Sequence, residues 1–151
     1  MECLYKTSTT NTYEEYKRFS WVLYKKAYIL FVVLFGVFMV IAGAVLDNIV
    51  FYAFALLMPF FETWVQNTKI KKTYKSSTIA QNIKMDFEFY EEYFIKKSEV
   101  GEDKIFYNKL SRVIETKTNF YMMIANNQGY VLCKNNFPKG LDDFLRNLKI
   151  S

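Results

Sequence analysis

The side chains that could carry chemistry in this sequence are few, and most of them are carboxylates. They occur at Glu91-Glu92, at Asp103 and at Asp142-Asp143, and paired carboxylates can serve as general acid and base or bind a metal ion. Pairs of this kind are usually solvated residues of turns and of the first turns of helices. We therefore expect no catalytic residue among them, no metal site and no cofactor.

Other catalytic residue types are scarce or absent. The 151 residues include no histidine, which removes His-dependent triads and His-ligated metal sites. Cys3 and Cys133 are too few for a secreted disulfide scaffold, and Cys133 lies in an apolar strand pattern that predicts a place in the core. No glycine-rich phosphate loop, CxxC pair or nucleophile elbow occurs. The sequence thus predicts a protein that is not an enzyme.

The distribution of charge argues against nucleic acid as a partner. The net charge is +5, but the segment 85–151 holds ten basic and ten acidic residues, so the excess lies outside the predicted soluble domain. Of the 20 basic residues 17 are lysine, whereas bidentate recognition of phosphate favours arginine. The positive charge instead flanks the apolar part of the chain, as it does on the cytoplasmic side of membrane helices.

Two apolar runs predict a transmembrane helical hairpin. The run 27–46 has 20 residues without a charge, enough to cross a hydrocarbon layer of roughly 30 Å as a helix. The second run, 49–66, reaches bilayer length if Glu62 and the residues after it lie at the interface. Asp47-Asn48 forms a turn between the two helices. A cleaved signal peptide ending near 42–44 is the alternative, but the 26 residues before the first run are too many and include Glu2, Glu14 and Glu15, which disfavours it.

Basic and aromatic residues flank this hairpin and orient it. One set of basic residues precedes the first helix and consists of Lys17, Arg18, Lys25 and Lys26. A second set follows the second apolar run. The positive-inside rule places both sets, and so both termini, in the cytoplasm of a multi-pass cell-membrane protein. The second set, expected to contact anionic headgroups or simply to fix the topology, is Lys69, Lys71, Lys72 and Lys75. The residues expected to anchor the hairpin at the cytoplasmic interface are Trp21, Tyr24, Tyr28 and Trp64.

Three residues within the hairpin suggest specific contacts. Gly36 and Gly43 are seven residues apart on one helix face, where they could admit the second helix through Ala53 or Ala55, although ordinary helix packing is the simpler interpretation. Glu62 is an ionisable group at membrane depth. The simpler interpretation is that its carboxylate reaches the headgroups, and the alternative is that it has a functional role.

The remaining segments predict a small β domain. Residues 1–26 hold a short strand, 2–7, and a helix opened by a capping box at Thr12, while 67–81 form a basic connector. Residues 82–151 form the cytoplasmic β-rich domain, with strands expected over 83–89, 93–98, 104–107, 110–116, 120–125 and 129–134. A final helix opened by Pro138 presents one apolar stripe, formed by Phe137, Leu141, Phe144, Leu145 and Leu148. The fold class is therefore α+β: a membrane hairpin plus an antiparallel sandwich or barrel with a C-terminal helix.

The apolar spacing of the C-terminal part resembles that of a known family. The residues that carry the resemblance are 105–116, 120–125, 130–134 and Phe137. They are similar to the C-terminal domain of YcxB-like bacterial membrane proteins, which share the order of short N-terminal segment, two membrane helices and β-rich domain. Tyr107 stands where tryptophan is common, and Cys133 where proline often precedes the lysine.

The resemblance implies a pleckstrin-homology-like fold of seven strands closed by a C-terminal helix, and it implies no catalytic group. We expect a non-enzymatic integral membrane protein whose β domain binds lipid headgroups, a protein partner or a second copy of the chain. The alternative is a self-immunity protein against a membrane-active bacteriocin-type peptide, which rests on fold-level analogy.

Overall fold

The computed structural model describes residues 2–77 and 81–148, and in these residues two long helices stand beside two antiparallel sheets. In chain order the elements are β1 (Tyr5–Thr10), α1 (Tyr13–Leu46), α2 (Ile49–Ser76), β2 (Lys84–Phe89), β3 (Tyr93–Ser98), β4 (Gly101–Phe106), β5 (Arg112–Glu115), β6 (Asn119–Ala125), β7 (Gln128–Cys133) and α3 (Leu141–Arg146). The predicted α+β class, with two long apolar helices, antiparallel sheets and a C-terminal helix, is confirmed.

The long helices begin and end at polar residues that satisfy their terminal backbone groups. The Thr12 side chain accepts a hydrogen bond from the Glu15 amide at 3.3 Å, as the capping box predicts. Asp47 adopts the left-handed conformation that ends α1, and the Asn48 side chain accepts from the Val50 amide at 3.0 Å to start α2. Both helices extend well beyond the uncharged runs, because α1 begins at Tyr13 and α2 continues to Ser76.

The apolar surface of the protein is concentrated on these two helices. Of the 24 large apolar side chains that are exposed in the described part of the chain, 20 lie between Ile29 and Trp64. Leu56 is 71% exposed, Phe60 72% and Ile49 81%. Both helices are long and apolar enough to cross a membrane.

The helices approach each other closely at one of the two expected glycines. A Cβ added to Gly43 would lie 2.9 Å from the Tyr52 ring and 3.3 Å from the Phe51 Cβ atom. Around Gly36 nothing lies within 4 Å of such a Cβ. The close approach therefore involves Tyr52 and Phe51 rather than the small residues expected from the sequence, because the aromatic ring itself fills the space that the glycine leaves.

The strands form two meanders, in the orders β1-β2-β3-β4 and β5-β6-β7. β1 precedes the long helices in the chain, yet it pairs with β2, which follows them: Tyr5 lies opposite Phe89 and Thr10 opposite Lys84. The six later strands agree with the sequence prediction to within three residues at either end. β1 lies three residues later than predicted, because Thr9 is buried and its hydroxyl accepts a hydrogen bond from the Cys133 amide at 3.1 Å.

The core of the β domain lies between the two sheets and is closed by α3. Its fully buried residues are Phe87, Phe89, Phe94, Tyr107, Leu110, Phe120, Met122, Leu132, Leu141 and Leu145. The last two belong to α3, which confirms the predicted apolar stripe. The helix begins at Leu141 rather than at Pro138, because Gly140 adopts φ +91°, which a helix cannot continue through.

Candidate functional site

A groove lies at the end of the sheets opposite the long helices. It has a volume of about 980 Å³, and we call it the distal groove; its lining includes Tyr5, Glu91, Glu92, Tyr107, Asp143 and Phe144. β1 runs from this groove to the start of α1, and five residue steps of about 3.3 Å separate its ends by roughly 17 Å. The distal groove is thus separated from the apolar hairpin by the length of the first sheet.

Aromatic rings form the floor of the distal groove. Phe144 of α3 lies 5.4 Å from the Tyr5 ring and 6.0 Å from the Tyr107 ring, between centroids. The Tyr107 hydroxyl donates to the Tyr90 carbonyl at 2.8 Å, and burial raises the pKa of this phenol well above its usual range. The floor is therefore a fixed apolar surface, held by the core on one side and open on the other.

Carboxylates form the rim. Glu91 and Glu92 are exposed on the β2–β3 turn, and Asp143 is exposed on the first turn of α3. The Glu92 backbone carbonyl accepts from the Tyr107 amide at 3.1 Å, which fixes that turn against the floor. Among the described residues that line the groove there is no lysine or arginine. The rim therefore carries the negative charge of Glu91 and Glu92 over an aromatic floor, while the Asp143 carboxylate pairs with Arg146 at 3.0 Å.

The structure brings together some of the carboxylates that the sequence singled out and separates others. Glu91-Glu92 and Asp143 share the distal groove, whereas Asp103 lies on β4 and pairs with Lys96 at 2.7 Å. No group of three or more possible ligands in 2–77 and 81–148 is arranged to hold a metal ion. The aromatic floor was not predicted as a site, because Tyr5 and Phe144 come from opposite ends of the chain and only the fold joins them.

The four predicted headgroup lysines lie on one exposed side of α2. Lys69, Lys71, Lys72 and Lys75 are all exposed, and none makes an ion pair within the described residues. The other side of this helix is buried at Ile70 and Tyr74, and the Tyr74 hydroxyl donates to the Asn11 carbonyl at 3.0 Å. α2 thus presents its lysines outward while its opposite face packs on the start of α1.

Three of the four predicted interface anchors form hydrogen bonds between the helices. Trp21 Nε1 donates to Asn67 Oδ1 at 3.0 Å. The Tyr24 hydroxyl donates to Glu62 Oε1 at 2.6 Å, and the Tyr28 hydroxyl donates to the Pro59 carbonyl at 3.1 Å. Trp64, the fourth, is 65% exposed. Glu62 therefore has a phenol partner on α1, an arrangement that the sequence pattern did not predict.

The start of α1 also packs on the second sheet. Phe19 stacks on Tyr121 of β6 with 5.5 Å between ring centroids, and both belong to a small apolar cluster with Met123. The Asn119 side-chain amide donates to the Glu15 carboxylate. These contacts fix the β domain directly to the base of the hairpin.

The cysteines show no sign of an activated nucleophile. Burial raises the pKa of the Cys133 thiol to about 11, which keeps it protonated at neutral pH. Cys3 donates its thiol proton to the Tyr5 carbonyl at 3.4 Å. Arg18 lies close enough to lower the pKa of the Cys133 thiol, but burial has the larger effect, so the thiol stays protonated.

The comparisons with known proteins concern the C-terminal part of the chain. A family model described as YcxB-like protein matches residues 89–149, from the last residue of β2 past the end of α3. No curated protein and no solved structure gives a match. The matched segment contains the carboxylate rim of the distal groove and most of its floor, but neither β1 nor the two long helices. Residues 89–149 are therefore YcxB-like, and the resemblance inferred from the sequence is confirmed for this part of the chain.

Proposed function

We propose that the chain is a non-enzymatic membrane protein whose β domain docks a protein partner in the distal groove. The observation that carries the proposal is the pairing of an aromatic floor with a rim of Glu91, Glu92 and Asp143, in a cavity of about 980 Å³. Nothing in this groove resembles a catalytic arrangement, since its carboxylates are exposed at the rim rather than held against a nucleophile or a base.

Membrane insertion of the hairpin is the first part of this proposal. The exposed apolar surface between Ile29 and Trp64 far exceeds what a soluble monomer leaves in water. Because β1 and β2 are hydrogen-bonded to each other, both ends of the hairpin must lie in the same compartment. The exposed lysines in the last turns of α2 favour the cytoplasm for that compartment.

A pleckstrin-homology-like fold is the second part. Seven strands in two antiparallel sheets, with a C-terminal helix over the open end of the core, support this assignment. The distal groove lies where α3 meets the first sheet, so the closing helix also forms one wall of the docking site.

The chemistry of the distal groove defines the partner. Carboxylates at the rim attract lysine or arginine, and the ring surface below them takes a large apolar or aromatic side chain. The partner is therefore a cytoplasmic protein with an exposed segment in which basic and large apolar residues are neighbours.

The test is crosslinking in intact membranes that carry the tagged full chain, followed by purification in mild detergent. The groove variant is Glu91→Gln with Glu92→Gln. The control variant is Glu99→Gln with Glu102→Gln, which removes the same charge from exposed positions on the β3–β4 turn and at the start of β4. A partner recovered in near-stoichiometric amounts with the wild type and the control, and at least fivefold less with the groove variant, supports the proposal.

Three results would contradict docking in the distal groove. Equal recovery of a partner with both variants would place the interface elsewhere, and crosslinks only to a second copy of the chain would replace the partner by self-association. Recovery of phospholipid alone, or of no partner at all, would contradict the proposal that the β domain docks a protein. In that case the self-immunity alternative is tested by the inhibitory concentration of membrane-active peptides on a sensitive host that expresses the chain.

A further inference from the structure

A second groove lies between the base of α1 and the β5–β6 turn, at the opposite end of the β domain from the distal groove. We call it the basic groove; it has a volume of about 380 Å³, and its lining includes Lys17, Arg18, Trp21, Thr116, Lys117 and Thr118. Helix and turn are held together beneath it by the stacking of Phe19 on Tyr121 and by the hydrogen bond from Asn119 to Glu15. Its two walls therefore keep a fixed spacing.

Cationic residues outnumber acidic ones around the basic groove. Three cationic side chains line it, against a single carboxylate, Glu14, which is exposed, and the rest of its surface is largely apolar. The Thr116 hydroxyl donates to the Asn119 carbonyl at 3.0 Å, so it has no free proton for an anion. Arg18 pairs with Glu15 at 2.8 Å and is 50% exposed, so its guanidinium still faces solvent. Lys17 and Lys117 have no ion-pair partner within the described residues. Charge complementarity thus favours a ligand with a phosphate group.

An apolar cleft continues from the basic groove along α1 toward the hairpin. The cleft has a volume of about 350 Å³; it shares Trp21 and Val22 with the basic groove and extends to Tyr28 and Ile29. Trp21 lies six residues before the uncharged run, or about 9 Å along the helix axis. The headgroup layer on each side of a bilayer is about 5–7 Å thick. Trp21 therefore lies beside the membrane surface when the run 27–46 is inserted.

We propose that the basic groove binds the headgroup of an anionic phospholipid of the same leaflet, with an acyl chain in the cleft that ends at Ile29. An anion site joined to an apolar cleft fits a molecule with a phosphate at one end and a hydrocarbon chain at the other, which free phosphate lacks. The site uses Lys17 and Lys117, and not the four lysines near the end of α2 that the sequence indicated. The inference rests on the membrane insertion stated under Proposed function and is independent of the protein partner.

The test is lipid binding by the full chain, purified in mild detergent and followed by native mass spectrometry. The ligands are dioleoyl phosphatidylglycerol, dioleoyl phosphatidylcholine and inorganic phosphate as a competitor. The groove variant is Lys17→Gln with Lys117→Gln, and the control is Lys71→Gln with Lys72→Gln, which removes the same charge from the exposed side of α2. A bound phosphatidylglycerol that is lost at least tenfold in the groove variant and kept within twofold in the control is the expected result.

Each other outcome overturns the inference. Equal losses in both variants would mean attraction to surface charge in general, and equal binding of phosphatidylcholine would mean that the cleft alone binds lipid. If inorganic phosphate displaced bound phosphatidylglycerol at concentrations similar to those of the lipid, the groove would be a phosphate site rather than a lipid site. An unchanged urea midpoint for both variants excludes misfolding as the cause.

Release of the chain from membranes by alkali would instead contradict the insertion step of the proposed function, and the crosslinking experiment tests the partner separately.

Discussion

Removing the Leu145 side chain should weaken the closure of the β domain by α3. Leu145 is 1% exposed and belongs to the main core cluster, so Leu145→Ala leaves a cavity between α3 and the sheets. Buried Leu→Ala changes cost about 3–5 kcal/mol, and a short helix at the edge of the core can shift to refill part of the space. We therefore expect a loss of about 3 kcal/mol, which is a large part of the total stability of a small domain.

The half-buried thiol of Cys133 provides the assay. In a Cys3→Ser background it is the single thiol of the chain, and its pKa of about 11 in the folded state protects it from alkylation at pH 7.5. An unfolded cysteine has a pKa near 8.5 and reacts about 300-fold faster at this pH through its larger thiolate fraction. Pulse alkylation in increasing urea, with the protein in detergent, thus reports the unfolding of the β domain. With an m value of about 1.5 kcal/mol/M, the midpoint should fall by about 2 M.

The control for this measurement is Leu4→Ala, the same change at a residue that is 49% exposed. Its effect should stay within about 0.5 kcal/mol, as at other surface positions. A midpoint for Leu145→Ala within about 0.3 M of the control would show that α3 does not close the core. The assignment of α3 as one wall of the distal groove would then also be wrong.

Three further predictions test other contacts. Glu88 lies between Lys6 at 2.8 Å and Lys97 at 2.9 Å, and these lysines lower its pKa from 4.5 to about 2. Its ionised form therefore stabilises the fold above about pH 4.5 and loses this effect as the pH falls toward 2, so Glu88→Gln should reduce the decline of the urea midpoint between pH 5 and pH 3. Gly129→Ala should destabilise by about 1–3 kcal/mol in the same assay, because its Cβ would lie 2.7 Å from the Met122 carbonyl oxygen. Tyr24→Phe removes the hydrogen bond to Glu62 and should weaken helix pairing by about 0.6–1.7 kcal/mol, measured by Trp21 fluorescence during thermal unfolding in detergent.

The elements that the sequence predicted well are those with a local signal. Alternation of apolar and polar residues over 83–89 gave β2, and the turn at Asp47-Asn48 separated the two helices. The position of β1 was three residues off, because its register depends on contacts with β2 and with Cys133, which lie more than 70 residues away. A pattern within six residues carries no information on such partners.

The candidate sites were predicted less completely, since both grooves are made from distant segments. Glu91, Glu92 and Asp143 were identified as carboxylates, but their common groove depends on Tyr5 and Phe144 meeting across the fold. The four lysines near the end of α2 were predicted as headgroup contacts because they lie close together in the sequence. Lys17 and Lys117, which share the basic groove, are separated by a hundred residues and form no such run.

The order of elements along the chain links the folding of the β domain to that of the hairpin. β1 ends at Thr10 and β2 begins at Lys84, so pairing them closes a loop of about 73 residues, which for a flexible chain costs about 4 kcal/mol in entropy. Helix pairing through Gly43, Tyr24 and Trp21 brings the end of β1 close to the start of β2. The contacts of the hairpin therefore offset most of the entropy lost when this loop closes. The cost is similar to the expected effect of Leu145→Ala. A substitution that separates α1 from α2 should therefore destabilise the β domain even though it touches none of its residues.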